Sequence, residues 1–215
     1  MQPSIPMVLD LRKVEVGSWS SYSISVGKMS MQARFALVAR DASSVTMENS
    51  IEGGTMAMLG GKMTLKVVME RDPTTAAKPI KQMIMQIGNQ DPMQAPAGIQ
   101  VPRYSKPDPS TLVGKETIRI AAGSFKTLHY RSKTGQGIVD VWVSEDVPPT
   151  GMVKLTSSGG ATSPGPGQPP GMVMELVEKG KGAKPIINKA PKPYDSQKAM
   201  KGMVPAPGAR NMSMP

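Results

Sequence analysis

The sequence predicts an all-β or β-dominated protein, a single antiparallel sheet of about ten strands. Apolar residues recur at every second position through one segment after another, and Gly or Pro punctuates the intervals between segments. No stretch sustains the 3.6-residue apolar period of an amphipathic helix. Gly (22) and Pro (21) together make about a fifth of the 215 residues while hydrophobic residues reach only 39%, which implies a modest core and long irregular segments.

The first element spans Val14 to Val26, with Tyr22, Ile24 and Val26 on one face and Ser21, Ser23 and Ser25 on the other. The cleanest alternation follows: Met29, Met31, Ala33, Phe35, Leu37 and Ala39 against Lys28, Ser30, Gln32, Arg34 and Arg40. Ser44 to Glu52 gives a third strand, with Val45, Met47 and Ile51 opposing Thr46, Glu48, Ser50 and Glu52. Gly53 to Gly61 is bracketed by paired glycines and reads either as a short strand or as a flap over the sheet. Met63, Leu65, Val67 and Met69 then alternate with Lys62, Thr64, Lys66 and Glu70. From Ile80 to Ile87 apolar groups fall on both faces, the mark of a central strand or of one covered on both sides.

Residues 88–110 contain five prolines and are expected to be a loop. The most informative stretch is Val113 to Thr156, where Ile118 and Ile120, Phe125 to Tyr130, and Val139, Val141 and Val143 mark successive strands joined by tight turns. Residues 157–171 form a flexible excursion, and Met172 to Lys179 is a last strand that closes the sheet. One domain is thus expected over 1–179, followed over 180–215 by a disordered tail rich in Lys, Pro and Gly.

The formal charge of +10 is concentrated in that tail. From Lys179 to Pro215 eight basic residues stand against Asp195, a local charge of +7 that leaves +3 for residues 1–178. The folded part is therefore not a basic nucleic-acid surface, and its few aromatics, among them Trp19, Tyr22, Phe35, Phe125, Tyr130 and Trp142, do not supply stacking platforms. No specific nucleic-acid partner is expected, while the basic tail could dock a protein partner. The absence of cysteine excludes disulfides, thiol nucleophiles and thiolate metal sites. No apolar run approaches the ~20 residues that span a bilayer as a helix. The start MQPSIPMVLDLRK has no charged leader followed by an apolar core. The expected location is the periplasm or cell envelope if a leader was removed, and the cytoplasm otherwise.

Catalytic chemistry has no candidate residues. His129 is the sole histidine, on a strand face with Phe125 and Thr127 and without the convergent ligands a metal needs, so it reads as structural. Glu145 and Asp146 are adjacent and would point to opposite faces of a strand, so they cannot flank one bond. The Gly-rich segments lack the following helix and lysine that phosphate binding requires. No enzyme, no cofactor and no metal is expected.

Methionine is the anomaly, with 19 in the chain. Met-x-Met occurs at Met29/Met31, Met56/Met58, Met83/Met85 and Met172/Met174, a spacing that puts both thioethers of a pair on one side of a strand. Methionine serves surfaces that must accept apolar partners of varying shape, and it also fills ordinary cores in place of Leu and Ile. A soft Cu(I) site on paired thioethers is chemically conceivable but lacks supporting ligands. The ligand-binding reading names Met31, Phe35, Met63, Leu65, Met83 and Met85 as the face for an apolar ligand such as an acyl chain.

One resemblance adds to this reading. Gly114, Glu116, Thr117, Ala122, Gly123 and Phe125, then Val141, Trp142, Ser144, Val147, Pro148, Gly151, Val153, Lys154 and Leu155, together with the opening VGSWSSY, resemble a family of uncharacterised bacterial envelope proteins. That family is similar to the periplasmic lipoprotein-carrier superfamily. The resemblance implies a curved antiparallel half-barrel over a lipid-accepting cavity, with one or two short helices as a lid, although the periodicity offers no segment for such a helix. The alternative function is a structural or assembly module in which the sheet packs a plain core and the loops and basic tail dock a protein partner.

Overall fold

The computed structural model describes residues 4–6, 8–54, 61–95, 103–134, 137–159 and 171–193. They form one curved, open antiparallel sheet of eleven strands that does not close into a barrel. In chain order the strands are β1 (Ser4–Pro6), β2 (Trp19–Val26), β3 (Met29–Arg40), β4 (Ser44–Gly53), β5 (Lys62–Glu70), β6 (Ile80–Ile87), β7 (Met93–Gln94), β8 (Arg103–Ser105), β9 (Leu112–Ile120), β10 (Gly123–Thr134), β11 (Gly137–Val143), β12 (Met152–Gly159) and β13 (Met172–Gly180). The sheet order is β7-β6-β5-β4-β3-β2-β13-β12-β11-β10-β9, so the last strand lies at the centre and joins two meanders. β1 and β8 make a separate parallel pair. A 3-10 turn lies at Pro109–Thr111, and no α-helix occurs among the described residues.

Period-two patterning fixes the faces. On the apolar face Tyr22 and Leu176 flank one another, Tyr22 lies opposite Ala33, Ala33 opposite Ile51, Ile51 opposite Met63, and Met63 opposite Ile87. Leu37, Met47 and Val67 form a neighbouring row that is wholly buried. The hydroxyl of Tyr22 donates to the carbonyl of Met152 at 2.8 Å, its ring meets Phe35 edge-on at 5.6 Å, and burial pushes its pKa up to about 12. Leu11 and Val14 plug this core from an irregular segment rather than from the predicted strand, which begins only at Trp19. Arg40 holds that segment by donating to the carbonyls of Leu11, Arg12 and Val14. At the β3–β4 turn the Ser44 hydroxyl and the amides of Ser43 and Ser44 donate to Asp41 and hold its pKa at about 2.

The second face holds a departure from the expected boundary at Gly180. Residues 181–193 run as a strap along a single cross-strand row, Trp19–Ala36–Glu48–Lys66–Ile84–Gln94. The Trp19 indole donates to the carbonyl of Lys181, the amides of Ile186 and Ile187 donate to the Glu48 carboxylate at 2.6 and 3.0 Å, and the Lys66 ammonium donates to the carbonyl of Ile187. At the far end the Gln94 amide of β7 donates to the carbonyl of Lys192, and the Lys192 amide donates to that of Pro92 just before β7. Six strands are crossed, about 24 Å at the usual interstrand spacing. Periodicity does not show the strap because it is neither helix nor strand: the Glu48 side chain satisfies the amides of Ile186 and Ile187, and the carbonyls of Gly17 and Pro92 those of Ala183 and Lys192. The rest of the expected tail, 194–215, lies outside the described residues, as do the flap core 55–60 and most of the expected excursion, 160–170. β12 extends through Gly159, into what the sequence assigned to that excursion. The expected loop at 88–110 also carries β7, β8 and the 3-10 turn, elements too short for alternation to reveal.

Candidate functional site

All six residues of the ligand-binding reading lie on the apolar face. Phe35, Leu65 and Met85 belong to one cross-strand row, in which Asn49 of β4 sits between Phe35 and Leu65. Met93 of β7 extends that row past Met85. Met63 and Met83 lie in the rows to either side, and Met31 is opposite Ile24. Their burial differs. Phe35, Leu65 and Met85 are buried in the core, whereas Met31, Met63 and Met83 are half-buried. Met31 and Met63 continue into a band with Val26, Ile51, Ile87 and Met172, all partly exposed, at the end of the sheet where β2 turns into β3. Gly54 adjoins this band so closely that a Cβ there would lie 2.7 Å from the Met31 Cγ.

A cavity of about 670 Å³ lies elsewhere, lined by none of these six residues. Its walls are Lys115 to Thr117 of β9, Lys126 to Leu128 of β10, Val8, and the β11–β12 turn from Val143 to Asp146. Val8, Leu128 and Val143 supply the apolar part of the lining, while Lys115, Lys126, Glu145 and Asp146 bring charges of both signs. The turn is held internally: the Ser144 amide donates to the carbonyl of Gly151 and the Gly151 amide to that of Val147, each at 2.7 Å. Gly151 has φ +85° and a Cβ added to it would sit 2.1 Å from Val8, so only glycine fits.

No protein-family model matches the chain, and no curated protein matches it. Among solved structures it is similar to the hypothetical protein CT021 from Chlamydia trachomatis, at 12% identity and a TM-score of 0.48 over 89% of this chain and 99% of that one. It is also similar to a Bacteroides fragilis protein titled as exported, with a YmcC-like fold (12% identity, TM-score 0.39, 84% of this chain, 100% of that one). A third is a Parabacteroides distasonis protein titled as a lipoprotein (13% identity, TM-score 0.36, 77% of this chain, 96% of that one). Likeness at this level carries no argument about function.

Three residues of the sequence resemblance, Glu116, Trp142 and Lys154, take part in a polar cluster on one face of the sheet. His129 is packed among sheet side chains: its ring stacks on Trp142 at 4.4 Å, Nε2 lies 2.6 Å from Asp140 and Nδ1 3.1 Å from Glu116. Trp142 donates its indole N–H to Glu116 at 2.6 Å, Arg131 donates to Asp140, and Lys154 pairs with Glu175. Together they tie β9 to β13 across one face. Partial burial opposes ionisation of Asp140, yet the bonds from Arg131 and His129 hold its pKa below the usual carboxylate value. Its contribution is therefore complete above the unfolded carboxylate range near pH 4 and is lost as pH falls through the folded pKa. Asp140→Asn is expected to lower stability by about 1–2 kcal/mol at pH 7, with the gap to the native protein narrowing below pH 4 in urea titrations. An unchanged midpoint at pH 7 would remove this cluster from the account of stability.

Sequence reasoning missed two features with chemical content. In the sequence Glu48 is an ordinary polar-face residue, and nothing in the alternation marks it as the anchor of a strap; the Ile186-Ile187 pair within a Lys- and Pro-rich segment is the available signal. The lysines of the cavity, Lys115 and Lys126, are each unremarkable on their own strand, and only the register brings them to diagonal positions on one face.

Proposed function

We propose that this is a non-enzymatic envelope protein whose sheet holds an apolar ligand, such as a lipid acyl chain, against its methionine-bearing face. The observation that carries the reading is the half-buried band of Val26, Met31, Ile51, Met63, Ile87 and Met172, contiguous by register with the buried Phe35, Leu65 and Met85. Thioether side chains adapt their shape to a guest, and partial exposure leaves them something to gain from one. The envelope location rests on the sequence resemblance alone. A fluorescent fatty-acid probe is expected to bind the full chain, and Met31→Gln with Met63→Gln to weaken that binding by about ten-fold or more, with the sheet intact by circular dichroism. No uptake, or uptake indifferent to both substitutions, would refute the reading.

The alternative, a structural or assembly module, is favoured by a different observation: the cavity is lined by none of the six candidate residues. In that case Met63 and Met83 merely complete a core, and partners are held by loops and the basic segment. A chain ending at Pro193 keeps the strap and separates the two ideas. Partner capture that needs residues 194–215, without probe uptake, would select the module.

A further inference from the structure

The open sheet has two edges, and they are treated differently. β7 is two residues long and is covered: Met93 bridges Lys192 in parallel, Gln94 donates to the carbonyl of Lys192 and Lys192 donates to that of Pro92. β9 at the other edge is nine residues long, and among the described residues no strand pairs with its outer side. Leu112 and Val113 at its start are 45% and 56% exposed. An edge strand of this length presents a row of backbone donors and acceptors that no described strand takes up, the template for strand addition.

Charge narrows what can be added. Lys115, Thr117 and Arg119 share one face of β9, and Lys126 of β10 lies directly opposite Thr117. Lys115, Arg119 and Lys126 are exposed, and among the described residues no carboxylate pairs with any of them. Glu145 and Asp146 line the cavity with Lys115 and Lys126 without closing an ion pair, and Glu116 points to the other face, toward His129 and Trp142. A second copy of the chain adding its own β9 by two-fold symmetry would gather both sets of these cations along one seam, which like-charge repulsion opposes. An acidic strand would meet them instead.

We propose that β9 is a docking edge for an extended acidic segment of a partner protein, added antiparallel or parallel to the sheet with its carboxylates beside Lys115, Arg119 and Lys126. Backbone bonds would supply affinity and the three cations selectivity, and the same cations would keep copies of this edge apart. This reading is independent of whether the methionine face binds a ligand.

The test uses the full chain and a capped nine-residue peptide of alternating Glu and Val, followed by fluorescence anisotropy at low and moderate salt. Its Lys/Val counterpart is expected to bind at least about ten-fold more weakly. Methylating alternate backbone nitrogens of the acidic peptide, which leaves its charge and removes its donors, is expected to weaken it by a similar factor. Lys115→Glu with Arg119→Glu should invert the preference between the two peptides while the far-ultraviolet dichroism of the sheet stays unchanged. Equal binding of the methylated peptide would reduce the interaction to charge alone and overturn strand addition. Absence of binding by the acidic peptide would do the same, as would self-association of the native chain that the double substitution abolishes, since the occupant would then be a second copy.

Discussion

Glu48→Ala is expected to lower the free energy of unfolding by about 3 kcal/mol and to release the strap before the sheet melts. The Glu48 side chain is buried, the residue being 2% exposed, and it is the acceptor for two consecutive amides, those of Ile186 and Ile187. Hydrogen bonds to a charged group contribute about 1.5–3 kcal/mol each, and two that share one acceptor do not simply add. Alanine leaves both amides without an acceptor, leaves Lys66 bound to the carbonyl of Ile187 with no carboxylate across the strand, and opens space beneath the strap. Ile187, which is 1% exposed, would become hydratable. Hydrogen exchange should therefore speed up at Ile186 and Ile187 first, and the urea midpoint should fall with it. Glu48→Gln keeps one acceptor oxygen and should cost less than the alanine. Native-like protection of the two amides in the alanine variant would show that apolar contact, and not the carboxylate, holds the strap.

That anchor also marks where reading the sequence stopped. Alternation assigned β3, β4, β5, β6 and β13 to within a residue or two, because each has one face in the core and a one-residue slip would expose it. Within single strands it put Met31 with Phe35, Met63 with Leu65 and Met83 with Met85 on one face, and the register then brings those faces together. It could not give strand order, so the position of β6, next to the short edge strand β7 rather than central, appears only in the structure. The apolar residue on its second face, Ile84, is buried in the row that the strap follows, which accounts for the two-sided pattern. Burial depth was equally illegible: nothing in Met-x-Met spacing separates the buried Met85 from the half-buried Met83. Gly17 illustrates a third limit. Its φ of +92° and its carbonyl, which accepts from Ala183, join the start of β2 to the strap, and the joining partner is 166 positions away in the chain.

Tyr22 should be the costliest single side chain to lose. It is fully buried at the centre of the apolar face, between Leu176 and Ala33, with its ring against Phe35 and its hydroxyl on the carbonyl of Met152. Tyr22→Ala removes a large aromatic from a packed core and is expected to cost about 3–5 kcal/mol. Tyr22→Phe keeps the ring and removes the hydroxyl, leaving the Met152 carbonyl without that donor, for about 1–2 kcal/mol at pH 7. The pH dependence separates packing from hydrogen bonding. Burial raises the phenol in the folded chain to about 12, whereas in the unfolded chain it ionises near 10. Its stabilising contribution is thus intact below pH 10 and is lost as pH rises through 12, amounting to about 2–3 kcal/mol in the limit. Phenylalanine has no proton to retain, so the advantage of the native protein over Tyr22→Phe should shrink by about 1 kcal/mol between pH 7 and pH 11. Urea denaturation of the two proteins at both pH values measures it directly. A gap that stays constant would mean that the Tyr22 hydroxyl reaches water in the folded chain, and the closed core at the middle of the sheet would have to be redrawn.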